Sequence, residues 1–258
     1  MKKILWINPI GIDLSNDNIE TYLKSKKEKN TIIKIISLNR GPKHLAYYYY
    51  KTLVLPDTLT LIKWAEKDGY DAVIIGCFGD PGLTEAREIT ERIIVVTPGQ
   101  TSMSIASMLG NRFSIILGKD KWKWITKISE NLIKYGFKDK LASFKSINLD
   151  LNDLHKNPKI TISKLKKLAK EAVEEDGAEV IILGCTLQFG FYKELQDYIH
   201  VPVIDPVLAP FKYAEFLIEL KNRMNWIHSK IGEYKSPPLI ELKNFDLESQ
   251  YNLKSYWE

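Results

Sequence analysis

Residues 66–77 read Glu-Lys-Asp-Gly-Tyr-Asp-Ala-Val-Ile-Ile-Gly-Cys, and residues 174–185 read Glu-Glu-Asp-Gly-Ala-Glu-Val-Ile-Ile-Leu-Gly-Cys. One phrase is written twice, 108 residues apart. The correspondence runs on. Gly82 matches Gly190, and Ile93-Ile-Val-Val-Thr-Pro98 matches Val201-Pro-Val-Ile-Asp-Pro206. At nearly the same spacing, Lys3–Ile7 matches Phe113–Leu117 as an apolar run that ends in a turn. Self-similarity at a fixed spacing is the signature of one structural unit built twice.

Each half follows the plan strand, helix, buried strand, helix, strand. The strands are short continuous apolar runs, which suit a parallel sheet with helices on both faces. The helices are periodic. Ile125, Ile128, Leu132 and Tyr135 fall on one face, as do Leu165, Leu168, Ala172 and Val173. Asp68-Gly69 and Asp176-Gly177 end a helix before each central strand, because glycine takes the left-handed cap without strain. Asp205-Pro206 reads as an N-cap followed by Pro at the first helical position. The expected fold class is α/β, with two pseudo-symmetric lobes, each a mostly parallel sheet flanked by helices, and the active site in the cleft between them.

The 258 residues allow one large domain or two small ones, and 45% apolar with 27% charged residues excludes a disordered chain. Apolar runs such as Ala72–Gly76 and Val180–Leu183 fall far short of the ~18 residues that cross a bilayer. Met1-Lys2-Lys3 leads into Ile4–Ile7, which reads as a first strand rather than a signal peptide because Asn8-Pro9 cuts it short. A cytoplasmic protein is expected, with no membrane partner. The net charge of +5 is spread along helices and interleaved with acids, without clustered arginine, so no nucleic-acid partner is expected either.

The chain has two cysteines, Cys77 and Cys185. They are too few for a disulfide framework and are not spaced as Cys-x-x-Cys. The four histidines show no metal-ligand spacing, so no metal and no cofactor are expected. A free cysteine is commonly a small buried hydrophobe. Here, however, both stand at repeat-equivalent points, where a buried strand ends and a loop turns toward a helix. In parallel α/β sheets, ligands bind outside the carboxyl ends of the strands. Two such thiols flanking one small ligand suit inversion of a carbon acid next to a carbonyl. One thiolate removes the proton, and the other thiol returns one to the opposite face. A helix N-terminus beside each cysteine is expected to ease thiolate formation. The N–H groups of Phe78, Gly79, Thr186 and Leu187, with the Thr186 hydroxyl, are candidates to meet the enolate oxygen.

Cys77-Phe78-Gly79-Asp80-Pro81-Gly82-Leu83, followed by Ala86-Arg87-Glu88, closely resembles the first cysteine motif of hydantoin racemases in the aspartate/glutamate/hydantoin racemase superfamily. The resemblance extends to about residue 220. It includes Asn8-Pro9, Gly41-Pro42, Pro56, Leu109–Ser114, Glu175–Glu179, Gly184-Cys185 and Val201–Asp205. It implies a discontinuous first lobe of residues 1–98 plus 206–226, a second lobe of residues 99–205, and an extension from 227 to 258. It also implies catalysis by Cys77 and Cys185, with substrate contacts from Asn8, Pro42, Phe78, Gly79 and Thr186. The implied reaction is cofactor-independent racemisation of a small molecule, with 5-substituted hydantoins as the leading substrates.

Some residues depart from the family's pattern. Asn8-Pro9-Ile10-Gly11 replaces the usual Asn-Pro-Asn-Thr, Thr186–Phe191 is bulky, and Tyr47–Tyr50 replaces more acidic residues. These put the substrate in doubt rather than the chemistry. An aspartate or glutamate racemase, or a maleate-type cis–trans isomerase, would use the same cysteines and need cations, for which Lys43, His44 and Lys119 are candidates. A non-catalytic binding protein is the alternative of another class. The extension, with Tyr251, Tyr256 and Trp257, reads as an arm that packs on its own lobe or on another subunit, and a homo-oligomer is expected.

Overall fold

A computed structural model of the chain describes residues 1–13, 15–119, 121–150 and 153–251. The repeat becomes two four-stranded sheets, every pairing parallel, with identical strand order. The first sheet runs β2 (Thr31–Ser37), β1 (Lys2–Asn8), β3 (Ala72–Ile75), β4 (Ile94–Val96). The second runs β6 (Leu141–Ser146), β5 (Phe113–Leu117), β7 (Val180–Leu183), β8 (Val203–Ile204). The matched phrases end on β3 and β7, the interior strands that precede the two cysteines. Trp6 pairs with Ile74 in the first sheet as Ile115 pairs with Ile182 in the second.

The sequence plan had three strands per half, and the structure has four. The additional ones, β2 and β6, are edge strands. Along β2, Thr31, Ile33 and Ile35 are buried and Ile32 and Lys34 exposed, and β6 is half-buried throughout. Neither presents the continuous apolar run by which the buried strands are recognised.

Helices alternate with the strands: α1 (Asn16–Lys24), α2 (Tyr48–Lys67), α3 (Leu83–Ile89) and α4 (Pro98–Leu109), then α5 (Lys121–Lys134), α6 (Pro158–Glu174), α7 (Tyr192–Ile199) and α8 (Leu208–Met224). Four buried clusters result, one on each face of each sheet. The helix that leaves each half crosses to the other sheet. Met103 and Ala106 of α4 pack with Phe113 and Val180, and Phe211, Ala214 and Ile218 of α8 pack with Ile4, Trp6 and Ile74.

The caps follow local chemistry. Gly69 (φ 74°) and Gly177 (φ 71°) take the left-handed conformation beyond α2 and α6. At Asp205-Pro206 the helix begins later than expected, at Leu208, yet the Asp205 carboxylate does cap it. Its Oδ1 accepts the N–H groups of Val207 (2.9 Å) and Leu208 (3.0 Å).

After α8 the chain folds back over α3 and β4. Lys230 Nζ donates to the carbonyls of Arg87 (3.1 Å), Glu88 (2.7 Å) and Thr90 (2.8 Å), where α3 ends. Arg87 Nη1 donates to the Tyr234 hydroxyl (3.2 Å), and the Val95 N–H of edge strand β4 donates to His228 Nε2 (2.9 Å). Beyond Pro238, the short helices α9 (Leu239–Asn244) and α10 (Leu247–Tyr251) leave Leu239, Ile240, Phe245 and Tyr251 exposed. Tyr256 and Trp257 lie outside the described residues. Among the described residues, no helix is long and apolar enough to cross a membrane.

His228 makes this fold-back pH-sensitive. Burial, then the positive charges of Arg87 and Lys230, push its imidazole down to about 3. An unfolded histidine titrates near ~6.5, so the released arm binds a proton that the docked arm refuses. Docking is therefore strongest above pH ~6.5 and weakens as pH falls toward the depressed value. The protection factor of the Val95 amide is expected to fall as pH drops from about 7 to about 4. His228→Gln is expected to flatten this dependence. An unchanged protection factor across that range in the wild type would refute it.

Candidate active site

Each cysteine follows a glycine that the neighbouring strand requires. A Cβ on Gly76 would lie 2.2 Å from Trp6 Nε1 and 2.8 Å from Asn8 Oδ1. A Cβ on Gly184 would lie 2.7 Å from Ile115 Cγ2 and 3.0 Å from Leu117 Cδ2. Thus β1 and β5 both press a side chain against the end of the adjacent strand. The chain passes that point only without a side chain of its own, and the next residue is the cysteine.

Both cysteines open on one cavity between the halves. Asn8, Phe78 and Thr186, which the sequence singled out, stand on its wall, as do Lys43 and His44. Ile10, Leu45, Trp124 and Leu187 make most of the remaining wall apolar. Gly79 and Pro42 are not on this wall. The Gly79 N–H donates to the Cys77 sulfur, and the Pro42 carbonyl accepts the Gly11 N–H (3.1 Å). Lys119 is also absent from it and pairs with Asp150 at 3.9 Å. Asn8 is tightly held. Its Oδ1 accepts Trp6 Nε1–H (2.7 Å), and its Nδ2 donates to Asn16 Oδ1 (2.6 Å).

The electrostatics differ from the expectation of eased thiols. Burial pushes Cys77 up to about 12, with the negative charge of Asp80 and the nearby Cys185 adding to it. The Gly79 N–H and Lys51 act the other way. Burial pushes Cys185 up to about 11, opposed by the Leu187 N–H. Neither cysteine is followed directly by a long helix. A single tight turn (Thr186–Gln188) follows Cys185, and α3 starts only after Gly82. In its place, each sulfur accepts one N–H from the residue two positions on. Two of the donors proposed for an enolate oxygen, Gly79 and Leu187, therefore serve the sulfurs instead.

Other side chains frame the site without having been legible beforehand. Asp80, buried and at φ 50°, accepts the N–H groups of Gly99 and Gln100 (both 2.8 Å) at the start of α4, and the Tyr135 hydroxyl (3.0 Å). Burial raises its carboxyl to about 6. Asp205 plays the matching part in the other half, capping α8 and accepting Gly190 N–H (2.7 Å) and the Tyr22 hydroxyl (2.9 Å). The two acids are not repeat-equivalent in sequence, since Asp205 aligns with Thr97. Asp80 shows itself only as a member of the Cys-Phe-Gly-Asp-Pro-Gly motif.

Helix α5 is bonded to the first half along one side. Lys123 Nζ donates to the Tyr47 hydroxyl (2.9 Å), and Lys127 Nζ donates to the Ala46 carbonyl. The Tyr48 hydroxyl donates to Glu130 (2.8 Å), and Asn131 Nδ2 donates to the Gly79 carbonyl (3.2 Å). This seam explains the tyrosine run. Tyr47 and Tyr48 hold α5, Tyr50 packs near His44, Tyr49 faces solvent, and none lines the cavity of the two thiols. The same helix sets Trp124 on the cavity wall, its ring 3.2 Å from where a Gly79 Cβ would stand.

Two thiols on the wall of one largely apolar cavity can each exchange a proton with a small carbon acid held there. Among the described residues, no group of three His, Cys, Asp or Glu side chains is placed to hold a metal ion. The chain is 35% identical to the hydantoin racemase of Pseudomonas sp. (strain NS671), over 94% of this chain and 96% of that one. It is 33% identical to the hydantoin racemase of Paenarthrobacter aurescens, over 91% and 97%. The solved allantoin racemase from Klebsiella pneumoniae superposes with a TM-score of 0.83 at 27% identity, covering 92% of this chain and 94% of that one. Residues 4–214 match the family described as Asp/Glu/Hydantoin racemase, and the chain belongs to that family of isomerases.

Proposed function

We propose that this racemase inverts carbon 5 of 5-substituted hydantoins without a cofactor, by a two-base mechanism on Cys77 and Cys185. The observation that carries the proposal is the opening of both repeat-equivalent thiols on one cavity whose wall is mostly apolar. The thiolate of one cysteine takes the C5–H proton, and the electron pair moves onto the adjacent carbonyl oxygen as an enolate. The N–H groups of Phe78 and Thr186 meet that oxygen. The other thiol then delivers its proton to the opposite face, leaving the thiolate on the second cysteine. The opposite enantiomer reverses the roles.

Lys43 and His44 on the wall favour a second reading, an aspartate or glutamate substrate whose carboxylates they would bind. One assay separates the two. Single enantiomers of 5-substituted hydantoins, allantoin, aspartate and glutamate are incubated in D₂O with the reduced protein and no added cofactor. Loss of optical rotation together with deuterium at the stereocentre is expected for the hydantoins. Turnover confined to the amino acids would overturn the hydantoin assignment, and silence across the set would overturn both.

A further inference from the structure

Cys77 touches a second, smaller hollow that Cys185 does not, and its wall carries Lys51 from α2 and Lys127 from α5. Lys127 is buried, 7% exposed, which is unusual for a lysine. Its ammonium is fixed by the Ala46 carbonyl and lies over the rings of Tyr48 (4.6 Å to the centroid) and Trp124 (5.3 Å). Burial and the neighbouring Lys51 and Lys123 disfavour this charge, whereas Cys77 and Glu130 favour it. Glu130 is the carboxylate on the wall, and it already accepts the Tyr48 hydroxyl (2.8 Å). Two lysines thus share the wall of this hollow with Cys77, Glu130 and Tyr48, and the last two are already bonded to each other.

The thiols are otherwise unequal. Asp80 stands against a negative charge on Cys77, whereas burial is what raises Cys185. A two-base racemase works in both directions only if each cysteine can hold the thiolate in turn. We infer that Lys127, with Lys51 beside it, is a positioning residue that offsets Asp80 and burial at Cys77, so that Cys77 takes its turn as base. The inference rests on the two-thiol reading of the site but on no particular substrate. Lys43 and His44 stand on the wall of the larger cavity, which both cysteines line.

The test reads the thiols directly. Cysteines 77 and 185 are the chain's only two, so Cys185→Ser leaves Cys77 alone and Cys77→Ser leaves Cys185 alone. Iodoacetamide alkylates the thiolate, forming the sulfur–carbon bond with loss of iodide, so its rate against pH gives each thiol's midpoint. Lys127→Met is expected to raise the Cys77 midpoint by about one pH unit or more, the scale of a lost neighbouring charge, and to leave Cys185 in place. Lys127→Arg keeps the charge and is expected to restore the midpoint. Lys51→Met, in the same hollow, is expected to move Cys77 in the same direction and provides the test should Lys127→Met fail to fold. An unmoved Cys77 midpoint, or an equal shift at both thiols, would overturn the inference. No substrate enters this measurement. A protein that shows the Cys77 shift yet racemises no hydantoin would refute the proposed substrate and leave the role of Lys127 standing.

Discussion

Replacing either Cys77 or Cys185 with serine is expected to lower racemisation by about 10³-fold or more, and equally from both enantiomers. The symmetry follows from the chemistry. Each inversion uses both sulfurs, one to remove a proton and one to supply it, so the loss of either closes the path in both directions. A serine hydroxyl is far too weak an acid to stand in as a base near neutral pH. Isotope exchange is expected to break the symmetry. With one thiol left, only the enantiomer whose C–H faces that sulfur exchanges its proton with D₂O, and it does so without inversion. Cys77→Ser and Cys185→Ser are expected to exchange opposite enantiomers. Either variant retaining full racemisation would exclude the two-base mechanism.

The next largest effect is expected from a single methyl group at Gly76. An alanine Cβ there lies 2.2 Å from Trp6 Nε1 and 2.5 Å from Trp6 Cε2. Trp6 is fully buried under Phe211 and cannot withdraw, so the strand end must move. That displacement carries Cys77, the next residue, and disturbs the Trp6–Asn8 hydrogen bond on the cavity wall. Overpacking of this kind costs about 1–3 kcal/mol. A misplacement of about 1 Å at a reacting group costs about 10² in kcat/KM. Gly76→Ala is therefore expected to lose both stability in urea unfolding and turnover. Gly69→Ala is the control. Its φ of 74° costs about 1 kcal/mol of backbone strain, but no atom lies within 4 Å of its Cβ, so activity is expected to stay unchanged. Equal loss of activity in the two variants would show that the Gly76 contact does not position the site.

Much of this arrangement was legible because it is local or repeated. The matched phrases ending in Cys77 and Cys185 marked the interior strands, and Gly69 and Gly177 marked the helix ends. Asn8 ends β1, and Phe78 and Thr186 lie in short segments just after β3 and β7, where a parallel sheet opens its ligand site. What escaped was set by contacts between distant parts of the chain. β2 and β6 hide because polar residues interrupt them, Lys34 in β2 and Ser143 and Lys145 in β6, so neither is a continuous apolar run. Asp80 caps a helix that begins at Pro98, and no local pattern announces a cap supplied from so far away. Lys123, Lys127 and Asn131 read as the solvated side of an amphipathic helix. They are bonded to Tyr47, Ala46 and Gly79 because α5 lies across the seam. The helices expected beside the thiols start farther along the chain, since several residues in turns precede α3 and a single tight turn follows Cys185.

The crossing of α8 also bears on how the protein is made. Trp6 leaves the ribosome about two hundred residues before Phe211, Ala214 and Ile218, which pack with it. One face of the first sheet therefore stays open while the whole second half is translated, and that nascent apolar face is a standing target for chaperones or for premature pairing with another chain. The second half has no such wait, because α4, which lines its core, precedes its strands. Synthesis order thus reverses the order of closure, with the later half sealing first and the earlier half sealing last.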